Sequence, residues 1–393
     1  MTKPALKVEI AFTSNPLATT PTWVDVTADV RERVSIRRGR QTERDRIEAG
    51  TATLTLDNRT RKYDSTNTGS PYNGYILPMR PIRIRATWGG ITYGLFRGYV
   101  AAWSPVEPGG QDAVVNLRCV DAFTYFSQAP LTLNRSQELG NVRIGAILDA
   151  LGWPAADRAI STAKSTLQSI VDGDASALQH LQNVADSENG LLFIDAQGRV
   201  AFQDRHYRLR TSSPAVTIGN NPGTGELPFH DVEIINDDSN IWNEIKVSYT
   251  NGTTITVSDA TSQLRFFRRT LPISRPHIIT AEEARDHANW QLLQRAYPDI
   301  RFNQLVLNGH LSDAAWPHLL GREISDRIAM VHRPPGGGPS IQRDLHVEAI
   351  QLAIPIKSGA WTATWQLSPA NTLSLLVADD LVRGRADQNR AAY

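Results

Sequence analysis

Hydrophobic and polar residues alternate through most of the chain, with a period of two. Residues 7–12 (KVEIAF), 23–30, 50–57, 78–87, 91–103 and 113–120 set apolar or small side chains against polar ones. That is the pattern of half-buried antiparallel strands. The clearest case is 50–57, where Ala52, Leu54 and Leu56 alternate with Thr51, Thr53 and Thr55. Val34 and Ile36 begin a shorter alternation before it, and a charged loop from Arg37 to Glu48 joins the two. Asp57-Asn58 and Gly89-Gly90 predict turns, because these residues tolerate positive φ. Residues 66–77, rich in Asn, Gly, Ser and Pro, read as a loop. Short strands with almost no helix signal predict a small antiparallel barrel or sandwich over residues 1–130.

The period then changes. Ile144, Ile147, Leu148 and Leu151 fall at helical spacing, and Gly152-Trp153-Pro154 ends that run. A second helix is expected over about 175–187, with Asp174 as its N-cap and Leu178, Leu181 and Val184 on its apolar side. Residues 190–202 read as a hairpin turning at Ala196-Gln197-Gly198. Residues 131–210 thus form a small α+β domain. Strand patterns return at 232–235, 241–249, 300–307, 345–355 and 361–367. Asn251-Gly252 predicts a type I′ hairpin turn. Thr280 and Glu283 make a capping box that opens a helix to about Arg295. Residues 211–375 therefore read as a second barrel-like domain with one helix, and 376–393 as a C-terminal tail. The fold class is mainly β with an α+β insertion: two β-barrel-like domains flank a small helix-plus-hairpin domain.

Composition narrows the function. The chain has 393 residues, room for two or three domains, and its formal charge of +1 gives no global pull toward nucleic acid or membrane. No apolar run is long enough to span a bilayer, and the N-terminal stretch lacks a signal-peptide core, so folding in a cytosol is expected. The single cysteine, Cys119, lies in an alternating segment and reads as a small buried hydrophobe. No Gly-x-Ser-x-Gly elbow, Walker loop or His-Glu-x-x-His motif occurs. Asp172, Asp174, Asp186 and Glu188 fit no calcium loop, and capping plus solvation accounts for them. His206, His230, His277 and His310 are expected as surface or rim residues. Paired-carboxylate chemistry is not excluded by counting, but no pair stands out. The expectation is a non-enzyme with no catalytic, cofactor or metal residues.

Arginine is dense between Arg31 and Arg46, which poses a phosphate contact against a solvated or interface loop. Glu32, Glu43, Asp45 and Glu48 are interleaved. The expectation is an interface loop carrying its own internal ion pairs. Exposed aromatics offer a second possibility, a carbohydrate-binding module: Trp88, Tyr93 and Trp103, or Trp361 and Trp365, stacked on sugar.

Several motifs in order resemble one family. Arg38-Gly39-Arg40, Ala49-Gly50-Thr51-Ala52-Thr53, Leu56-Asp57-Asn58 and Tyr63-Asp64 come first. Asn189-Gly190, Phe193, Asp195, Gly198, Val200 and Phe202 follow, then Trp242-Asn243, Gly321 to Arg327, Val347 to Ile350 and Trp361 to Pro369. Together they resemble the minor tail, or tail-hub (baseplate-hub), proteins of long-tailed bacteriophages. A Ser-x-x-x-Tyr-Gly element of the family is missing, since Ser262 is followed by Gln263-Leu264-Arg265-Phe266. The resemblance implies a structural virion protein at the tail tip, assembled in the bacterial host cytoplasm. It implies a homotrimeric ring built from two related barrels per subunit. Its partners would be distal tail or tail-tube proteins, the tape-measure protein and tip or fibre proteins. DNA would pass through during genome ejection without sequence-specific binding. Alternatives are the carbohydrate-binding host-recognition module or a tail-tip cell-wall hydrolase.

Overall fold

The alternating stretches pair into one extended sheet. The computed structural model describes residues 3–109, 112–210, 213–298 and 300–370, with the backbone of Leu375–Leu376 and Arg390–Ala391. The rest of the expected tail lies outside the described residues. Thirteen strands form the main sheet. Its order begins Asp231–Ile235, Arg301–Asn308, Thr362–Pro369, Ile341–Pro355. It continues Val30–Gly39, Glu48–Asp57, Asp112–Val120, Ile91–Gly109, Arg80–Trp88, Ala5–Ile10 and Val24–Asp25. Thr217–Gly219 and Arg327–His332 branch onto Ile341–Pro355. The first four strands come from the C-terminal part of the chain and the others from the N-terminal part. They join where Ile341–Pro355 pairs antiparallel with Val30–Gly39, in register from Gly39↔Ala349 to Arg33↔Pro355.

Inward side chains of both parts share one hydrophobic core. It runs from Val8, Ile10 and Phe12 through Leu54 and Leu117 to Leu305, Ile350 and Leu367. Trp316, Trp361 and Trp365 are its largest members, each almost fully buried. Truncating one such indole costs about 3–5 kcal/mol. Cys119 is buried in this core, as expected, and burial pushes its thiol up.

The middle of the chain forms its own layer. Helices Gly140–Ala150 and Ala177–Glu188 pack with the hairpin Leu191–Ile194 and Val200–Gln203 around Ile144, Leu148, Leu181, Phe193 and Phe202. The second helix is capped by Ser176, whose Oγ accepts from the Gln179 N–H (3.2 Å), and not by Asp174. Asp174 lies two residues upstream and donates its own N–H to Asp172 Oδ1 (3.1 Å), a local turn that precedes the helix.

A third core, absent from the sequence reading, sits between strands Glu244–Tyr249, Thr253–Ser258 and Thr270–Ser274 and helix Ala281–Arg295. Ile245, Val247, Ile278, Ala284 and Ala288 fill it. Its hairpin turns over three residues, Thr250–Gly252, in a 3-10 conformation, with Gly252 at positive φ. A type I′ hairpin turns over two residues, so that expectation is corrected. Two short helices, Ala122–Gln128 and Trp316–Gly321, were also missed, because each is too short to show a period.

Candidate functional site

The densest chemistry lies where the two parts of the sheet meet. Strand Val30–Gly39 alternates, so Val34, Ile36 and Arg38 turn inward while Arg33 and Arg37 face solvent. Gly39 ends it at φ +103, with its backbone against strand Ile341–Pro355. A Cβ at position 39 would collide with the Glu348 carbonyl, so the join admits only glycine there. The loop 40–47 then leaves the sheet and reaches every other part of the molecule.

Glu348 is the centre of this seam and is 1% exposed. One of its oxygens accepts from Arg40 Nε (2.7 Å). The other accepts from Arg208 Nη1 (2.6 Å) and Ser368 Oγ (2.6 Å). Burial alone would raise this carboxyl, but Arg208 and Arg40 hold it far below the usual carboxylate range. A second carboxylate repeats the arrangement. Glu323 accepts from Arg38 Nη1 (2.6 Å) and from the Ala196 N–H in the hairpin turn (2.9 Å). Beyond it, Arg46 donates to Asp186 (2.5 Å) and Asn183 (3.1 Å) on helix Ala177–Glu188. Glu43 accepts from Arg295 Nη1 (2.5 Å) on helix Ala281–Arg295, and Arg44 lies over the Trp242 ring, 5.5 Å from its centroid.

The loop thus joins other parts of its own chain, and the expected ion pairs within it are not what holds it. Its internal bonds are few: Asp45 accepts from Thr42, and Arg40 Nη1 donates to the Asp45 carbonyl. Its charged partners lie as far as 308 positions away. Residues 188–208 add a further link. Arg205 donates to Glu283 (2.8 Å), to Ser165 Oγ and to the fully buried Glu188 (3.4 Å). The capping box is therefore half-formed. Thr280 Oγ1 accepts from the Glu283 N–H (3.2 Å), while the Glu283 carboxylate turns to Arg205.

Two open clefts of about 240 and 170 Å³ flank the Glu43–Arg295 pair. Their carboxylates are already engaged: Glu43 by Arg295, Asp186 by Arg46 and Asp204 by Arg210. His346 borders the second cleft, and burial, with Arg208 beside it, pushes its imidazole down to about 3. These pairs lock the elements around the clefts together.

The other candidates resolve as follows. Asp172, Asp174, Asp186 and Glu188 do not converge, and no metal-holding group of His, Cys, Asp and Glu occurs among the described residues. His230 and His310 are exposed and His206 is half-buried. His277 departs from expectation: it is 5% exposed, and burial pushes it down to about 4. Trp361 and Trp365 are core residues and present no face to a sugar. Trp88 packs on Trp316 (5.6 Å between centroids), and Trp103 donates to the Leu77 carbonyl (2.9 Å) among Phe12 and Tyr63. Tyr93 is half-buried and would touch any side chain added at Gly321.

Asn243 has a role the sequence did not reveal. Fully buried, it donates Nδ2–H to the Phe267 carbonyl (2.7 Å) and accepts the Arg269 N–H at Oδ1 (2.9 Å). This clamp holds Phe267 at φ +60, unusual for an aromatic residue. Phe267 is 86% exposed and Leu264, on the preceding helix, 90%. The segment that departs from the family pattern, Ser262 to Phe266, lies on this helix, Ala260–Phe266.

No family model matches the sequence, and comparison with curated proteins finds no match. Comparison of structures does. The chain is similar to a tail protein from Neisseria meningitidis MC58, with a TM-score of 0.62 and 11% identity, over 93% of this chain and 96% of that one. It is similar to the 43 kDa tail protein of prophage MuSo2 from Shewanella oneidensis (0.59, 12%, 93% and 98%). It is also similar to prophage tail protein gp18 from Listeria monocytogenes EGD-e (0.51, 11%, 92% and 94%). The resemblance read from short motifs thus extends to the fold, and the chain has the fold of these tail proteins across nearly its whole length.

Proposed function

We propose that the chain is a structural protein of a long-tailed phage tail, a hub at the tail tip. Three copies close into a ring, and each copy contributes two similar strand-built halves, 1–130 and 211–375. Six such halves let a threefold tip abut a sixfold tube. The 131–210 unit stands between them in sequence. Tail-tube, tape-measure and tip or fibre proteins bind the ring, and DNA passes through it without base-specific contacts. The observation that carries this reading is the welded sheet. Both halves share one core and one ion-paired seam, on a fold shared end to end with tail proteins. A conduit that transmits load between a tube and a tip needs such stiffness, and closed rings need complementary edges.

The saturated ion pairs in the clefts favour a non-enzyme, and the burial of Trp361 and Trp365 removes one of the two sugar-stacking sets. Electron microscopy of the assembled particle tests the proposal. Three copies of the chain around the tail axis at the end of the tube are expected. A single off-axis copy, or a place remote from the DNA path, rejects it.

A further inference from the structure

One face of the sheet is left unpartnered where the two halves join. Register places Arg37 between Gln351 and Thr51, Arg33 opposite Pro355, and Arg118 beside Thr53. All three arginines are exposed, and none has an ion-pair partner among the described residues. The same face continues across the neighbouring strands, from Arg301–Asn308 on one side to Ile91–Gly109 on the other. Its other outward positions are Thr, Ser, Asn, Gln, Ala, Val and Pro. The interior of this band holds no Asp or Glu. Carboxylates enter at its margins: Glu32, Asp57, Glu107 and Asp112 at one end, with Asp57 and Asp112 beside Arg31, Glu48 opposite Gly39 at the other end, and Asp231 and Glu233 on the edge strand. Seven strands at about 4.8 Å each make the band roughly 30 Å across, close to one duplex turn of about 34 Å.

This is unusual in a chain with 40 acidic and 41 basic residues, whose arginines are elsewhere so often paired. Bare guanidinium groups on a surface of short side chains, with carboxylates only at its margins, attract phosphodiester oxygens without reading bases. We infer that this sheet face lines the DNA path and touches the duplex backbone through Arg33, Arg37 and Arg118. The choice of DNA as ligand rests on the tail-hub reading; the face and its charge do not. Few charges and short neighbouring side chains make the contact weak and salt-sensitive, which suits DNA that must slide.

The test is fluorescence anisotropy of the full chain with a 30-base-pair duplex, in about 20 mM and 200 mM salt. The wild-type chain is expected to bind at low salt and to lose most binding at high salt. The triple variant Arg33→Gln, Arg37→Gln, Arg118→Gln should bind at least about tenfold more weakly, with a salt slope reduced by up to about 2.7, near 0.9 per phosphate contact. Arg61→Gln, whose residue pairs with Asp64 in the loop after strand Glu48–Asp57, serves as the control and should bind like wild type. Unchanged binding by a correctly folded triple variant overturns the inference. So does tighter binding to an acidic polypeptide than to DNA, which would assign the face to a protein partner. Particle mass on the same samples keeps the two readings apart. A ring whose DNA binding ignores these arginines loses only this inference. A chain that never forms rings loses the hub reading, while arginine-dependent DNA binding would still stand.

Discussion

Arg38 and Arg40 differ from Arg33 and Arg37 by a few positions on one segment, yet they live in opposite environments. The first pair points into the seam, where each meets a carboxylate from the C-terminal half, Glu323 and Glu348. The second pair points outward and meets none. Strand alternation does the sorting. A period of two sends neighbouring arginines to opposite faces, so one charged run both welds two halves and equips a surface. The comparison teaches that charge density in a sequence says little until the face is known. Buried and paired, an arginine is structural. Exposed and bare, it is available.

The most severe way to break the comparison is to empty the seam. Glu348→Ala leaves Arg40 and Arg208 facing each other without their shared anion, in a site that water hardly reaches. Removing one partner of a buried pair costs about 3–5 kcal/mol. Chemical denaturation should show that loss. A cost under about 1 kcal/mol would mean that the seam does not hold the halves together.

Acid should weaken the fold next. His346 and His277 are buried and held down to about 3 and 4. An unfolded histidine takes its proton near 6.5, so the unfolded chain binds more protons below that pH and stability falls as pH falls. The slope is roughly 1.4 kcal/mol per pH unit for each such group. Asp121 opposes one of them, because burial pushes it up to about 7 and its folded form prefers to stay protonated. Glu348 and Glu9 act lower down. Burial would raise both. Arg208 and Arg40 hold Glu348 below its ordinary value, and Arg83 and Arg85 hold Glu9 at about 2. Their stabilisation is present above about 4.5 and lost as pH falls through the depressed values. Replacing His346 with Gln should flatten the stability curve between pH 6 and 4. An unaltered slope would show that His346 is not a source of it.

How much of this could be read beforehand follows from range. The strand 50–57 and the hairpin at 190–202 were legible, because alternation and turn residues are local signals. The motif Arg38-Gly39-Arg40 was noticed as a resemblance, yet its physical reason, a glycine pressed against the Glu348 backbone, lies more than three hundred residues downstream. The partners of Arg40, Arg46 and Glu43 were invisible for the same cause: no local pattern encodes a contact at that separation. Expecting pairs within the loop was the natural error, since its own acids were near in sequence. Asp174 and Ser176 are both residue types that cap a helix, and only the backbone path puts Ser176 at the cap position. The bare face needed strand pairing across both halves before it existed as a surface at all.

A milder change sharpens the boundary between the two environments. Arg46 pairs with Asp186, but its side chain is 48% exposed. Water already solvates both groups, so Arg46→Ala should cost no more than about 1 kcal/mol, and less at high salt. A loss on the scale of Glu348→Ala would place this pair with the seam.

The smallest expected effect is the most discriminating. Arg37 lies one residue before Arg38 and carries the same charge. If burial with a partner is what makes Arg38 structural, then Arg37→Gln should leave the denaturation midpoint within about 0.5 kcal/mol of wild type, as surface changes do. Arg38→Gln should be clearly costlier, since it leaves Glu323 without its guanidinium at 2.6 Å. Equal costs would mean that the strand tolerates or resents charge at both positions for a backbone reason, and the inward–outward distinction would fail. A stabilising Arg37→Gln would be informative in the other direction. It would show that the crowded, unpaired arginines repel one another, a strain that only an anion laid across the face could relieve.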